Sequence, residues 1–356
     1  MGPLSPEAPV VEDVAWFRVE DSGAAGAVRR AAAGLGAQLG LGERRVDELA
    51  LLVVELVTNL HKHADEGQVL LRSLRDRTEA GVEVVAVDAG PGMADEALSR
   101  LDGHSTAGTL GIGLGAIVRL ATSTDLYSLP GRGTVMTAQV WNPGVRVTAP
   151  AQGLTRPISG EPVSGDAWAF RRGDRLQLML SDGLGHGPLA ASASRVAVDV
   201  FRAAPDGGPA ALLEHLHRAL GHTRGAAVAV AELDPAAGEV RFAGLGNIAG
   251  HVVPAAGSSA WRPPGVRGGA AAGERQSMVS MPGIAGHKRR AVREFSYPLG
   301  GNDLVVLHSD GVTDRWRLSD YPGLAAHTPL VIAATLLRDA GVRRDDASIL
   351  VARVPT

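Results

Sequence analysis

Apolar residues recur at helical spacing across residues 43–63, where Leu49, Leu52, Val53, Leu56 and Leu60 share one stripe and predict an amphipathic helix. Glu55, Asn59 and His63 lie on a different face at i, i+4 and i+8, so a carboxylate and an amide oxygen can address one object beside the helix. An alanine-rich helix precedes it, capped by Ser22 and running to about Gly40, with Gly34 and Gly36 weakening its interior. Strand-like runs follow at residues 68–74 and 82–88. An apolar helix then reaches Ala121, and a strand, a turn at residues 130–133 and a last strand at 134–141 close the first half. Residues 142–157 contain proline and glycine and read as a linker.

Beyond the linker the pattern predicts short strands at residues 167–170, 175–181, 226–233, 239–243, 248–253, 292–297, 304–309 and 348–353. Helices are expected at residues 188–201, 210–220 and 329–340, and the glycine- and proline-rich residues 254–273 as a surface loop. The 356 residues exceed one typical core, and two domains are expected, residues 1–141 and 158–356. Both are of α/β (α+β) class.

Composition narrows the chemistry. With no cysteine, disulfides, thiolate nucleophiles and Cys-ligated zinc are excluded, which leaves hard oxygen ligands. No basic and apolar leader opens the sequence, Pro6 stands where a myristoylation signal needs Ser or Thr, and the longest apolar run, residues 49–54, is too short to span a bilayer. The expectation is a cytoplasmic protein with no membrane contact. A net charge of −3 with interspersed signs gives no footprint for nucleic acid and favours a protein or small-molecule partner.

In the first half, Asp88 leaves a strand where Gly90 and Gly92 let a ligand approach. Gly108, Gly111, Gly113 and Gly115 open the following helix, whose bare amides form a candidate phosphate site. A dinucleotide-binding fold is the rival reading, but it needs a strand running straight into the glycines, and here a polar loop precedes them. The order ELVTN, VDAGPG, GTLGIGLG and GRGT resembles the four boxes of the GHKL (Bergerat) ATP-binding α/β sandwich, shared by histidine kinases, gyrase-type ATPases and anti-sigma-factor serine kinases. That resemblance implies ATP with Mg²⁺. Asn59 would be the Mg²⁺ ligand, Glu55 the base for a serine or threonine hydroxyl, Asp88 the adenine reader beside Gly90 and Gly92, the four later glycines the phosphate lid, and Thr134 part of the last box. No histidine-bearing dimerisation helix precedes the fold and the lid is short, as in the anti-sigma type. ELVTNLHKHADEGQ and DGHSTAGTLGIGLG are similar to the stressosome switch kinases of the RsbT type.

In the second half, LMLSDGLGHGP and LVVLHSDGVTD each deliver Ser-Asp-Gly from an apolar run, and Ser164-Gly165-Asp166 and Arg344-Asp345-Asp346 add two acidic sites. Asp-Gly turns often only cap strands, yet carboxylates without clustered His or Cys suit Mn²⁺ or Mg²⁺, and two such ions can activate a water against phosphorus. The set resembles metal-dependent protein phosphatases of the 2C type, in the SpoIIE branch, which implies a four-layer αββα sandwich. By that resemblance Asp166, Asp182, Gly183 through its carbonyl, Asp310 and Asp345 would hold two ions, with Asp182 and Asp310 central to catalysis, and Asp346 would fall where relatives carry Asp or Asn. HRALGHTRGAAVAVAEL and GLGNIAG are similar to the stressosome feedback phosphatases of the RsbX type. His186 and His308 flank two metal motifs and read either as groups supporting the metal ligands or as packed neutral histidines, in preference to acid catalysts.

The combined expectation is a partner-switching regulator. Its first half would phosphorylate Ser or Thr of STAS-domain proteins, anti-sigma antagonists or stressosome components, and its second half would remove such phosphates. Opposed activities on one phosphosite would only consume ATP. They are therefore expected to act on different sites or partners, or to be gated by ATP. The alternative is a first half that binds ATP and a partner without transferring phosphate.

Overall fold

The computed structural model describes residues 9–93, 113–255, 275–287 and 291–354. They form two units, residues 9–149 with 326–338 and residues 150–325 with 339–354. The first boundary falls inside the segment expected as linker.

The first unit opens with β1 (Val10–Arg18), α1 (Ala24–Gln38) and α2 (Glu43–His63), followed by β2 (Gln68–Asp76), β3 (Glu79–Val87), α3 (Gly113–Leu120), β4 (Ser123–Leu129) and β5 (Gly133–Trp141). The sheet order is β1-β2-β3-β5-β4, antiparallel throughout. The predicted stripe of α2 is buried, and Leu49, Leu52, Val53, Leu56 and Leu60 pack with Val28 of α1, Ile117 of α3 and Val84 and Ala86 of β3. Removing those side chains from water drives the α/β sandwich.

Two expectations change here. β1 was not foreseen, because its alternation breaks at the register shift between Asp13 and Ala15 and its residues are mostly half-buried. Asp21, not Ser22, serves the start of α1: its Oδ1 accepts from the Gly23 and Ala24 amides at 2.8 and 3.1 Å. Gly108 and Gly111 lie outside the described residues.

The second unit stacks two five-stranded antiparallel sheets. One, in the order β13-β10-β9-β8-β7, contains β7 (Asp166–Arg172), β8 (Leu176–Gly183), β9 (Ala226–Asp234), β10 (Glu239–Leu245) and β13 (Phe295–Pro298). The other, β12-β11-β14-β15-β6, contains β6 (Ala151–Arg156), β11 (Ala249–Val253), β12 (Gln276–Met278), β14 (Leu304–His308) and β15 (Ala347–Arg353). Helices α4 (Pro188–Ala203) and α5 (Pro209–Ala219) cover the first sheet through Phe201, Leu213 and Leu216. β6 overturns the expected linker over residues 151–156: its single isolated leucine gave no periodic signal, and pairing with β15 makes it a strand.

Helix α6 (Pro329–Ala340) matches its predicted bounds and is apolar and buried nearly all round. Its residues through Arg338 belong to the first unit, although they come from the chain's second half. The anchor is Asp125 of β4. Its Oδ1 lies 2.7 Å from His327 Nδ1, and its Oδ2 accepts from the Thr328 amide and hydroxyl at 2.8 and 2.7 Å. Burial opposes the charge, but the His327 and Thr328 bonds together win and bring the Asp125 pKa down to about 2. A carboxyl depressed from 3.8 stabilises the fold above its unfolded value, and that stability drains away as pH falls from there toward the folded value. Urea midpoints at about pH 5 and about pH 3 should therefore fall further in the wild type than in Asp125→Asn, and an equal fall would contradict the anchor.

Candidate metal centre and nucleotide site

The ladder between β7 and β8 places Asp166 directly opposite Asp182. Paired residues project from one face, and alternation puts Trp168 with Leu180 and Phe170 with Leu178 on the same side. Ala169 and Met179 point the other way, into the core beneath α4. Like charges directly opposed weaken a ladder, so this pair needs an external reason.

Two more acids come from the facing sheet. Asp310 follows β14, and Asp345 precedes β15. The Ser309 hydroxyl donates to Asp166 Oδ2 at 2.6 Å while its oxygen accepts from the Ser348 amide at 3.0 Å, which ties the ends of β14 and β15 to β7. Gly311 permits the approach, because a Cβ there would stand 1.9 Å from the Asp346 carbonyl oxygen. Asp346 turns inward. Its Oδ1 accepts from the Ile158 amide and its Oδ2 from the Gly165 amide, at 2.8 and 2.9 Å, so it shapes the loop before Asp166. Gly183 donates its amide to the Gly165 carbonyl at 3.1 Å. Asn247 Nδ2 donates to Asp310 Oδ2 at 2.5 Å.

The electrostatics follow from this crowding. Burial, and then the charges of Asp346 and Asp310, push the Asp166 pKa up to about 7 against the Ser309 hydroxyl. Burial followed by Asp166, Asp310, Asp345 and Asp346 pushes Asp182 up to about 9, and burial with Asp310 raises Asp345. Asp166 Oδ1 is buried without a hydrogen-bond partner among the described residues. An all-oxygen acidic cluster with an orphaned buried oxygen fits hard divalent cations.

The histidines divide. His186 is exposed and its Nδ1 lies 2.9 Å from Glu161 Oε1. His308 is buried and stacked on His251 at 5.5 Å, with their Nε2 atoms 3.2 and 2.8 Å from Asp314 Oδ1. Burial brings the His251 pKa down to about 4. These three groups could hold a metal by spacing, but the Arg275 guanidinium stands 3.4 Å from the same Asp314 oxygen and 4.3 Å over Trp316. That cation completes a closed network which braces the turn after Asp310.

In the first unit, Asp88 follows β3 and is nearly buried. Burial raises its pKa, and the Gly90 amide, donating to Oδ1 at 2.8 Å, opposes the rise. The turn is fastened to the end of α2 by the Ala89 amide on the Asp65 carbonyl, and to β5 by the Asp88 amide on the Thr134 carbonyl. Gly92 has φ +67°, and a Cβ there would meet the Leu129 carbonyl oxygen at 2.3 Å. Thr134 Oγ1 lies 2.9 Å from Ser128 Oγ, whose oxygen accepts from the Met93 amide. Glu55 and Asn59 are half-buried on α2, which ends against the Asp88 turn. Of the lid glycines, Gly113 opens α3 and Gly115 is buried within it.

A family profile described as Stage II sporulation protein E (SpoIIE) matches residues 172–355, more than half of the chain. The chain belongs to the SpoIIE family. Its first part, residues 19–140, matches the histidine kinase-like ATPase domain. The serine/threonine-protein kinase RsbT of Bacillus subtilis (strain 168) is 33% identical over 115 residues, 32% of this chain and 86% of that protein. A solved structure from work on the bacterial stressosome, as a modular system adapted to control secondary messenger signalling, is 27% identical with a TM-score of 0.49, covering 57% of this chain and 98% of its own. RsbX in complex with magnesium is 17% identical with a TM-score of 0.44, covering 57% and 94%. This SpoIIE-family chain thus joins a histidine kinase-like ATPase domain, similar in sequence to RsbT, to a SpoIIE domain. No described helix is long and apolar enough to cross a membrane.

Ser309, Asn247 and Asp346 are the site residues that sequence reasoning underused. Ser309 had a signal, the serine preceding each Asp-Gly, whereas Asn247 reaches Asp310 only through the fold. Asp346→Ala should leave the Ile158 and Gly165 amides without their carboxylate and weaken Mn²⁺ binding about 10- to 100-fold by calorimetry. Unchanged affinity would show that the loop does not depend on it.

Proposed function

We propose that the second unit removes phosphate from phosphoserine or phosphothreonine of STAS-domain proteins, and that the first unit binds ATP and phosphorylates Ser or Thr of such partners. The phosphatase reading is carried by the opposed Asp166–Asp182 pair with its orphaned oxygen, in a chain of the SpoIIE family. Asp166, Asp182, the Gly183 carbonyl, Asp310 and Asp345 would hold two Mn²⁺ or Mg²⁺ ions. Such ions supply charge for the phosphate oxygens and acidify a water for attack. The chain's own residues provide the frame: Ser309 orients Asp166, Asn247 orients Asp310, and Asp346 sets the loop between Ile158 and Gly165. No side-chain nucleophile is required.

In the first unit Asp88 accepts from the adenine amino group, Gly90 and Gly92 clear its approach, and Thr134 lines the same pocket. Gly108, Gly111, Gly113 and Gly115 serve the phosphates, and Asn59 would ligate Mg²⁺. Glu55 takes the proton of the substrate hydroxyl as that oxygen bonds to the γ-phosphorus and ADP leaves. The likeness to RsbT supports a kinase here, and the stressosome relatives support STAS partners. Reaction in a reducing cytoplasm agrees with a chain that has no cysteine.

Phosphate release from a STAS-domain protein carrying phosphoserine, with Mn²⁺, should vanish in Asp182→Ala. Persistence of wild-type release would remove Asp182 from the site. Glu55→Ala should abolish phosphorylation of a STAS partner while keeping ATP affinity within about threefold. Persistent phosphorylation would refute the assignment of the base, and a wild type that binds ATP yet transfers nothing would make the first unit a binding module.

A further inference from the structure

The rim of the acidic centre carries features that the metal chemistry does not use. Three of the seven exposed large apolar side chains among the described residues, Val163, Leu184 and Leu189, stand 37%, 50% and 59% exposed. Val163 lies just before Asp166, Leu184 just after Asp182, and Leu189 in the first turn of α4. Their segments meet at one point, because a Cβ on Gly165 would stand 2.8 Å from Ala190 Cβ and 3.4 Å from the Gly185 carbonyl oxygen. Apolar side chains gathered at the mouth of a charged site, where water gains nothing from them, mark a surface that a partner covers.

Beside them lies a cation. Arg224 precedes β9, whose Ala226 and Ala227 pair with Gly183 and Asp182. The Leu184 amide donates to the Gly225 carbonyl at 3.0 Å, which fixes Arg224 to the metal loop. Its Nη1 lies 3.3 Å from where a Cβ on Gly185 would stand. Among the described residues no carboxylate pairs with this guanidinium, and the nearby Glu161 is engaged with His186. An exposed arginine at the rim of this loop without an ion pair keeps its donors for an incoming anion, and its planar fork matches a phosphate.

We propose that Arg224 and the Val163, Leu184 and Leu189 rim recognise the substrate of the phosphatase unit. The substrate is a phosphoserine or phosphothreonine on a protein surface, flanked by apolar side chains. This rests on the phosphatase reading above and adds the chemistry that it selects. Arg224 holds phosphate oxygens from outside the acidic cluster, while the apolar rim covers the flanking residues and excludes water.

The test uses two synthetic phosphoserine peptides that differ only in carrying Leu or Gln on both sides of the phosphoserine, with the full chain and Mn²⁺. Wild type should favour the Leu peptide about tenfold or more in kcat/KM, and the double variant Leu184→Ser, Leu189→Ser should bring that ratio near one. Arg224→Ala should raise KM for both peptides about tenfold, with Arg224→Lys recovering part of the loss. A wild-type ratio near one, or a KM untouched in Arg224→Ala, overturns the proposal while the phosphatase reading stands, since both peptides still lose phosphate. Failure of the wild type to hydrolyse either peptide or p-nitrophenyl phosphate overturns both.

Discussion

Two carboxylates opposed across a β-ladder are the constraint on which the phosphatase unit depends. Asp166 and Asp182 are register partners, and the charges that act on them are those of other carboxylates. The next two pairs on the same face of that ladder are apolar, Trp168 with Leu180 and Phe170 with Leu178. The fold thus invests the stability of its sheet in holding charge where charge is unfavourable. Burial and the charges of neighbouring carboxylates push Asp166 and Asp182 toward protonation, a cost that a bound cation would offset. The facing sheet completes the set because Ser309 and Gly311 let the ends of β14 and β15 close on β7.

The first unit, which matches the histidine kinase-like ATPase domain, is built differently. Its long helix α2 carries Glu55 and Asn59 on a half-buried face while the opposite stripe anchors the core. The Asp88 turn is then bound on one side to the end of α2 and on the other to β5. A chain segment from far downstream shares this unit: Arg338 of α6 donates to the Asp88 carbonyl at 3.2 Å, and Asp125 holds the start of the segment at His327 and Thr328. The backbone of the expected adenine reader is therefore supported by residues that lie more than two hundred positions away in sequence.

Much of this was legible along the chain, for physical reasons. The bounds of α2 and α6 followed from a long stripe and from an apolar run opened by proline, signals that tertiary packing reinforces. Strands ending in Ser-Asp-Gly announced their carboxylates because the turn chemistry is local. β1 and β6 were missed because each draws its stability from its neighbours: the bulge at Asp13 spoils alternation in one, and a single leucine leaves the other without a pattern. Asp21 rather than Ser22 serves the start of α1, because its carboxylate reaches the Gly23 and Ala24 amides. The contacts of Asn247 with Asp310 and of Asp125 with His327 join residues whose proximity only folding creates, so no spacing rule could reveal them.

Calorimetric titration of Mn²⁺ into the metal-stripped full chain tests most directly whether the crowded carboxylates exist to hold cations. The account predicts about two ions per chain for the wild type, with a higher Tm in Mn²⁺ than in chelator, and loss of both in Asp166→Asn with Asp182→Asn. A wild type that binds no Mn²⁺ at millimolar concentration, or binds it no better than that variant, would contradict it.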